Sequence, residues 1–100
     1  MSVHYVYILE CSDGTLYTGY TTDVARRVAE HDAGEGAKYT AGRTPVRLRY
    51  VEYHPSRSEA QRREHEIKSL TRSQKERLLP ERPDRVGIRI HTDESTDLPV

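Results

Sequence analysis

V-H-Y-V-Y-I-L-E-C-S-D-G-T-L-Y-T-G-Y, residues 3–20, decides the fold of this 100-residue chain. Val3 to Glu10 is rich in β-branched and aromatic residues and reads as a strand. Cys11-Ser12-Asp13-Gly14 reads as a turn, and Thr15 to Tyr20 as the return strand of a hairpin. The turn leaves the register open. A loop centred near Ser12 sets Tyr7 opposite Tyr17 on one face. A tight Asp13-Gly14 turn instead opposes Tyr7 to Tyr20 and sends Tyr17 to the other face. The default for a lone strand tyrosine is half-buried packing.

Working outward, Thr21, Thr22 and Asp23 offer N-caps for a helix near 24–33 with an apolar stripe of Val24, Ala25, Val28 and Ala29. Gly34 and Gly36 end it. Residues 35–45 read as a polar, exposed loop. Val46 to Tyr53 alternates and reads as a third strand stopped by Pro55. Ser58 with Gln61 forms a capping box for a helix from about 59 to 70, and Ser73 with Glu76 opens a short helix ending before Pro80. The order β-β-α-β-α-α predicts an α+β domain, a three-stranded antiparallel sheet flanked by helices, over residues 1–80. Residues 81–100 read as a tail, partly disordered, with a short strand at Gly87-Ile88-Arg89-Ile90 as the exception.

Composition narrows the function. Hydrophobic content is 34 % and mean hydropathy −0.87, so the core must be thin. With no Phe or Trp, seven tyrosines supply all the aromatic bulk, and each hydroxyl needs water or a partner. Net charge is zero, but 13 of the 16 cationic side chains are arginine, the residue that grips phosphate with two parallel hydrogen bonds. A GC-rich genome accounts for that bias equally well. Cys11 is the sole cysteine, which excludes an intramolecular disulfide and a cysteine-based zinc site. No stretch approaches the ~18–20 apolar residues of a membrane span. The expectation is a cytoplasmic protein.

Two helical positions carry candidate chemistry. Glu64 is four residues after Ala60 and three before Ile67, so it points along the apolar face and must find a cation, hydrogen bonds or a metal. An ion pair with Arg63 or another arginine is the ordinary outcome. On the first helix Arg26 and Arg27 flank the stripe on opposite sides, and His31 follows Arg27 by one turn. Spacing does not choose between the two arginines.

The chain resembles the GIY-YIG nuclease superfamily. Tyr5-Val6-Tyr7 stands where that family has G-I-Y, and Tyr17-Thr18-Gly19 where it has Y-I-G. T-T-D-V-A-R-R-V-A-E-H, residues 21–31, is similar to the family helix whose essential arginine matches Arg27, and S-E-A-Q-R-R-E-H-E-I-K, residues 58–68, to the helix whose metal-binding glutamate matches Glu64. The loop from Gly36 to Pro45 is similar to that of small stand-alone YhbQ-type proteins, and related loops occur in Slx-type structure-specific nucleases. The departures are Tyr5 in place of the first glycine and the absence of any asparagine.

The resemblance implies hydrolysis of DNA phosphodiesters, in repair or recombination, with one divalent metal, Mg²⁺ or Mn²⁺, held by Glu64. Arg27 would clamp the phosphate, and Tyr17 or Tyr7 would take a proton from the attacking water. Arg27 and the metal are expected to lower the phenol pKa. His31 would relay a proton or donate to phosphate, with a packed surface histidine as the alternative. Arg26, Lys38, Tyr39 and Arg43 would contact nucleic acid. So few cations imply weak, salt-sensitive binding, hence recognition of branched, flap or single-stranded shapes, or help from a protein partner or a second copy. Competing expectations are a non-catalytic nucleic-acid-binding module on the same fold and a small interaction protein.

Overall fold

The computed structural model describes residues 3–82 and 84–90. The elements are β1 (His4–Glu10), β2 (Leu16–Thr21), α1 (Val24–Asp32), α2 (Lys38–Ala41), β3 (Arg47–His54), α3 (Arg57–Lys68), α4 (Arg72–Glu76) and β4 (Gly87–Ile90). They build an α+β fold around one sheet of order β2-β1-β3-β4. This corrects the expected three-stranded antiparallel sheet. Gly87–Ile90 does form a strand, and it pairs parallel to β3, so the sheet has four strands and is mixed. The tail from residue 91 onward, expected to be disordered, lies outside the described residues.

The hairpin takes neither expected register. Tyr7 pairs with Gly19, and Tyr17 pairs with Leu9. The connection is therefore centred on Asp13, whose carboxylate accepts the Thr15 amide at 3.1 Å. Tyr7 and Tyr17 share one face, offset by one pair.

The two faces differ in kind. Val6 and Ile8 of β1 join Tyr50 of β3 and Ala60 and Ile67 of α3 in the buried core, with Leu16, Tyr20, Leu70, Leu78 and Leu79 packed at its margin. The opposite face carries Tyr5, Tyr7 and Leu9, and it is against this second face that α1 places His31. A β-bulge at Ile8/Leu9 shifts β3 by one residue, and Arg49, nearly buried, pairs with Glu10 at 2.7 Å.

Both later helices start earlier than their predicted caps. Ser56, not Ser58, caps α3, its hydroxyl accepting the Glu59 amide. Thr71 with Gln74, not Ser73 with Glu76, forms the capping box of α4. The loop 35–45 is not wholly exposed either, since it holds the single turn α2 with Thr40 buried.

Candidate active site

Asp23, in extended backbone, caps α1 by accepting the Arg26 amide, and Thr21 braces the cap by accepting the Asp23 amide at 3.0 Å. That cap fixes the rotation of the helix, and the rotation separates the two arginines. Arg26 is exposed, whereas Arg27 is half-buried on the same side as His31. The predicted stripe is rotated accordingly: Ala25 and Ala29 are exposed, and His31 is fully buried rather than a surface histidine.

His31 is the hub. Its Nε2 lies 2.7 Å from the Tyr7 hydroxyl and its Nδ1 lies 2.8 Å from Thr40 Oγ1. The rings of Tyr17 and His31 have centroids 5.1 Å apart, and Tyr7 and Tyr17 stand 6.4 Å apart. Two glycines make this closeness possible. A Cβ on Gly19 would lie 2.5 Å from Tyr7 Cζ, and one on Gly36 would lie 2.7 Å from His31 Cγ. The glycine of the Tyr17-Thr18-Gly19 motif is thus required by the Tyr7 ring rather than by its own backbone angles.

Burial pushes the Tyr7 phenol up to about 12. Arg27 beside it favours the phenolate, while Tyr17 and the Glu64 charge oppose it. Among the chain's own groups desolvation outweighs the Arg27 guanidinium, so the Tyr7 phenol is raised before any metal contributes. Burial, with Arg27 adding, holds the His31 pKa below its ordinary value, so the imidazole is neutral at pH 7. Arg27 itself is held by Glu30 at 3.0 Å.

Glu64 is only partly buried, and its partner is Lys68 at 3.1 Å, not Arg63. Arg63 goes instead to Glu52 at 2.9 Å. Glu64 is close enough to the site for its charge to act on Tyr7. Among the described residues no three His, Cys, Asp or Glu side chains stand together as metal ligands. A lone carboxylate suits a hard cation that keeps most of its waters and takes further oxygens from a substrate phosphate, as Mg²⁺ does. It does not suit an all-protein cage.

A family model described as the GIY-YIG catalytic domain matches residues 3–77. The chain belongs to the GIY-YIG family. It is 70 % identical over 77 residues to a UPF0213 protein of Halobacterium salinarum, covering 77 % of this chain and 100 % of that one. A UPF0213 protein of Staphylococcus haemolyticus is 57 % identical over 82 residues, 82 % of this chain and 100 % of that one. Among solved structures, the solution structure of a UPF0213 protein from Bacillus halodurans shares 59 % identity at a TM-score of 0.51, covering 76 % of this chain and 81 % of that one. A solution structure from E. faecalis shares 47 % identity at a TM-score of 0.54, covering 77 % and 82 %.

In this GIY-YIG domain the candidate nucleic-acid contacts divide. Lys38 is exposed. Tyr39 is 40 % exposed and stacks on Tyr17 at 5.8 Å. Arg43 is committed to local bracing: it pairs with Asp13 at 2.9 Å, donates to the Tyr39 carbonyl at 2.7 Å and lies over the Tyr39 ring. Arg26 shares a groove with Arg27, Glu30, Tyr20 and Arg57. Arg57, missed by spacing, comes from the first turn of α3 and sits 5.8 Å from the Tyr20 ring centroid. Two other residues were missed. Thr40 looked like loop polarity. Glu52 is the truly buried carboxylate, 1 % exposed, receiving hydrogen bonds from Tyr50 at 2.6 Å and Arg63 at 2.9 Å and contacting His54 at 2.6 Å. Its alternation with Tyr50 on β3 was the available signal.

Proposed function

We propose that the chain is a divalent-metal-dependent endonuclease that hydrolyses DNA phosphodiester bonds, selects its substrate by shape, and serves DNA repair or recombination in the cytoplasm. The observation that carries this is the meeting of Tyr7, Tyr17, Arg27 and His31, from three separate elements, within reach of the Glu64 charge.

In the proposed reaction Arg27 exchanges Glu30 for a phosphate oxygen and stabilises the charge that builds on it. Glu64, now paired with Lys68 at 3.1 Å, would hold the cation. Bound Mg²⁺ or Mn²⁺ would neutralise a phosphate oxygen and stabilise the leaving oxygen. Tyr7, with a pKa near 12, is not a free phenolate at pH 7. It acts by passing its own proton to His31 as it takes one from the attacking water. Tyr17, half-buried between His31 and the exposed Tyr39, lines the approach. Arg26, Arg57, Lys38 and Tyr39 contact the flanking backbone or an unpaired base. Arg43 contributes by holding Tyr39.

The test is cleavage of labelled single-stranded, duplex, flap and four-way-junction DNA with Mg²⁺ or Mn²⁺, wild type against Glu64→Ala. Metal-dependent cutting lost in the variant supports the proposal. Salt-dependent binding without cutting, unchanged in the variant, leaves a nucleic-acid-binding module.

A further inference from the structure

We propose that Thr40 is a positioning residue for this reaction: its hydroxyl holds His31 in the Nδ1–H tautomer and so leaves Nε2 to receive the proton of Tyr7. The proposal rests on the nuclease assignment above but makes a claim that can be read without activity.

Both ends of the hydrogen-bond chain point the same way. Thr40 is fully buried, and its hydroxyl donates to the Ala37 carbonyl at 3.1 Å. The proposal gives that single proton to the carbonyl, so that Oγ1 accepts from His31 Nδ1 at 2.8 Å and Nδ1 carries the hydrogen. At the other end Tyr7 is 1 % exposed, and His31 Nε2 at 2.7 Å is the acceptor for its O–H among the described residues. Arg27, the other polar neighbour of that phenol, can only donate. The opposite tautomer would aim Nε2–H at the phenol oxygen and strand the phenol proton in a buried site. The Ala37 amide also points at Nδ1, but at 3.4 Å it is at the outer limit of a hydrogen bond.

The loop is shaped for this task. Gly36 passes so close to His31 that a Cβ would collide with the imidazole, and the turn α2 then brings Thr40 under Nδ1. Thr40 thus takes the orienting role that a carboxylate plays in a Ser-His-Asp triad, without adding a charge. The groups facing His31 are Tyr7 from β1, Tyr17 from β2, Arg27 and Glu30 from α1 and Thr40 from α2, with Glu64 acting on Tyr7.

In the step itself water gives a proton to Tyr7 Oη while Tyr7 gives its own to His31 Nε2. The water oxygen bonds to phosphorus, and the bond from phosphorus to the leaving oxygen breaks. The imidazolium keeps its Nδ1–H on Thr40, then returns the gained proton through Tyr7 to solvent. The leaving oxygen is protonated from solvent.

The experiment is ¹⁵N NMR of the histidine rings in the full chain, with cleavage kinetics, for wild type, Thr40→Val and Thr40→Ser. The expected wild-type His31 shows the Nδ1–H pattern. Thr40→Val should show mixed or reversed tautomers and a kcat lower by on the order of tenfold or more, with KM unchanged. Thr40→Ser should restore both. An Nε2–H pattern in the wild type overturns the proposal even if the valine variant does not fold. So does a valine variant that keeps the Nδ1–H pattern and the wild-type rate. A wild type that cuts no substrate overturns the nuclease assignment and with it the catalytic purpose of Thr40, while the tautomer measurement separately decides whether the Thr40 hydroxyl holds Nδ1–H.

Discussion

Gly19→Ala adds one methyl group at the most crowded point of the site. The new Cβ would stand 2.5 Å from Tyr7 Cζ and closer still to the hydroxyl, so the ring must move. Alanine is otherwise acceptable in a strand, and the damage is therefore steric. Overpacking a tight interior costs about 1–3 kcal/mol. Moving the phenol also breaks its 2.7 Å bond to His31, a buried hydrogen bond contributing about 1 kcal/mol. Together these give about 2–4 kcal/mol, a fall in Tm of roughly 10–25 °C for a domain of this size. Calorimetry of Gly19→Ala beside Gly42→Ala measures it. Gly42 ends α2 at φ −98° with nothing within 4 Å of its would-be Cβ, so its variant should stay within about 0.5 kcal/mol of wild type. Equal Tm values for the two variants would refute the packing argument for the Tyr17-Thr18-Gly19 glycine.

Other expectations can be checked alongside. Glu52→Ala leaves Arg63, Tyr50 and His54 without their shared acceptor and should cost about 3–5 kcal/mol by denaturant titration, with Glu52→Gln milder. Burial alone would raise the Glu52 pKa, but hydrogen bonds from Tyr50, Arg63 and His54 hold it below the ordinary 4.5. Its stabilisation is therefore complete above that value and lost as pH falls below it, and Glu52→Gln should flatten this acid slope. Because burial and Arg27 keep the His31 pKa below 6.5, the acid limb of kcat/KM should lie below pH 6.5, and a limb at or above that value contradicts a neutral buried relay. Arg57→Ala should weaken DNA binding and reduce the slope of log K against log salt by about 0.9 if Arg57 neutralises a duplex phosphate, whereas an unchanged slope removes it from the interface.

Much of this was legible because short-range chemistry decided it. The hairpin, a cap within Thr21-Thr22-Asp23 and the inward Ala60 and Ile67 follow from alternation, capping and helical spacing. What failed depended on choices between near-equivalent local options. The S-x-x-E/Q signal occurs at Ser56 as well as Ser58, and Pro55 directly before Ser56 favours the earlier start. A four-residue turn admits several registers, and the loop centred on Asp13 was one that neither considered turn produces. Arg26 and Arg27 were indistinguishable until the cap fixed the helix rotation. The parallel pairing of β4 on β3 is set by a long excursion through α3 and α4, which no local pattern reveals. Thr40 is invisible for a similar reason, because only the folded loop brings it under His31. The matches of Tyr7, Tyr17, Arg27 and Glu64 came from the resemblance of ordered motifs, and the geometry adds the hub that joins three of them.

The most direct measurement is single-turnover cleavage of the preferred DNA by Tyr7→Phe beside wild type, with affinity measured in parallel. Phenylalanine keeps the ring against Gly19 and removes only the hydroxyl that reaches His31. A rate lower by about 100-fold or more, at unchanged affinity, is the result expected of a phenol that moves the proton of the attacking water. Cleavage at the wild-type rate would contradict that role for Tyr7 and, with it, the proton relay through His31.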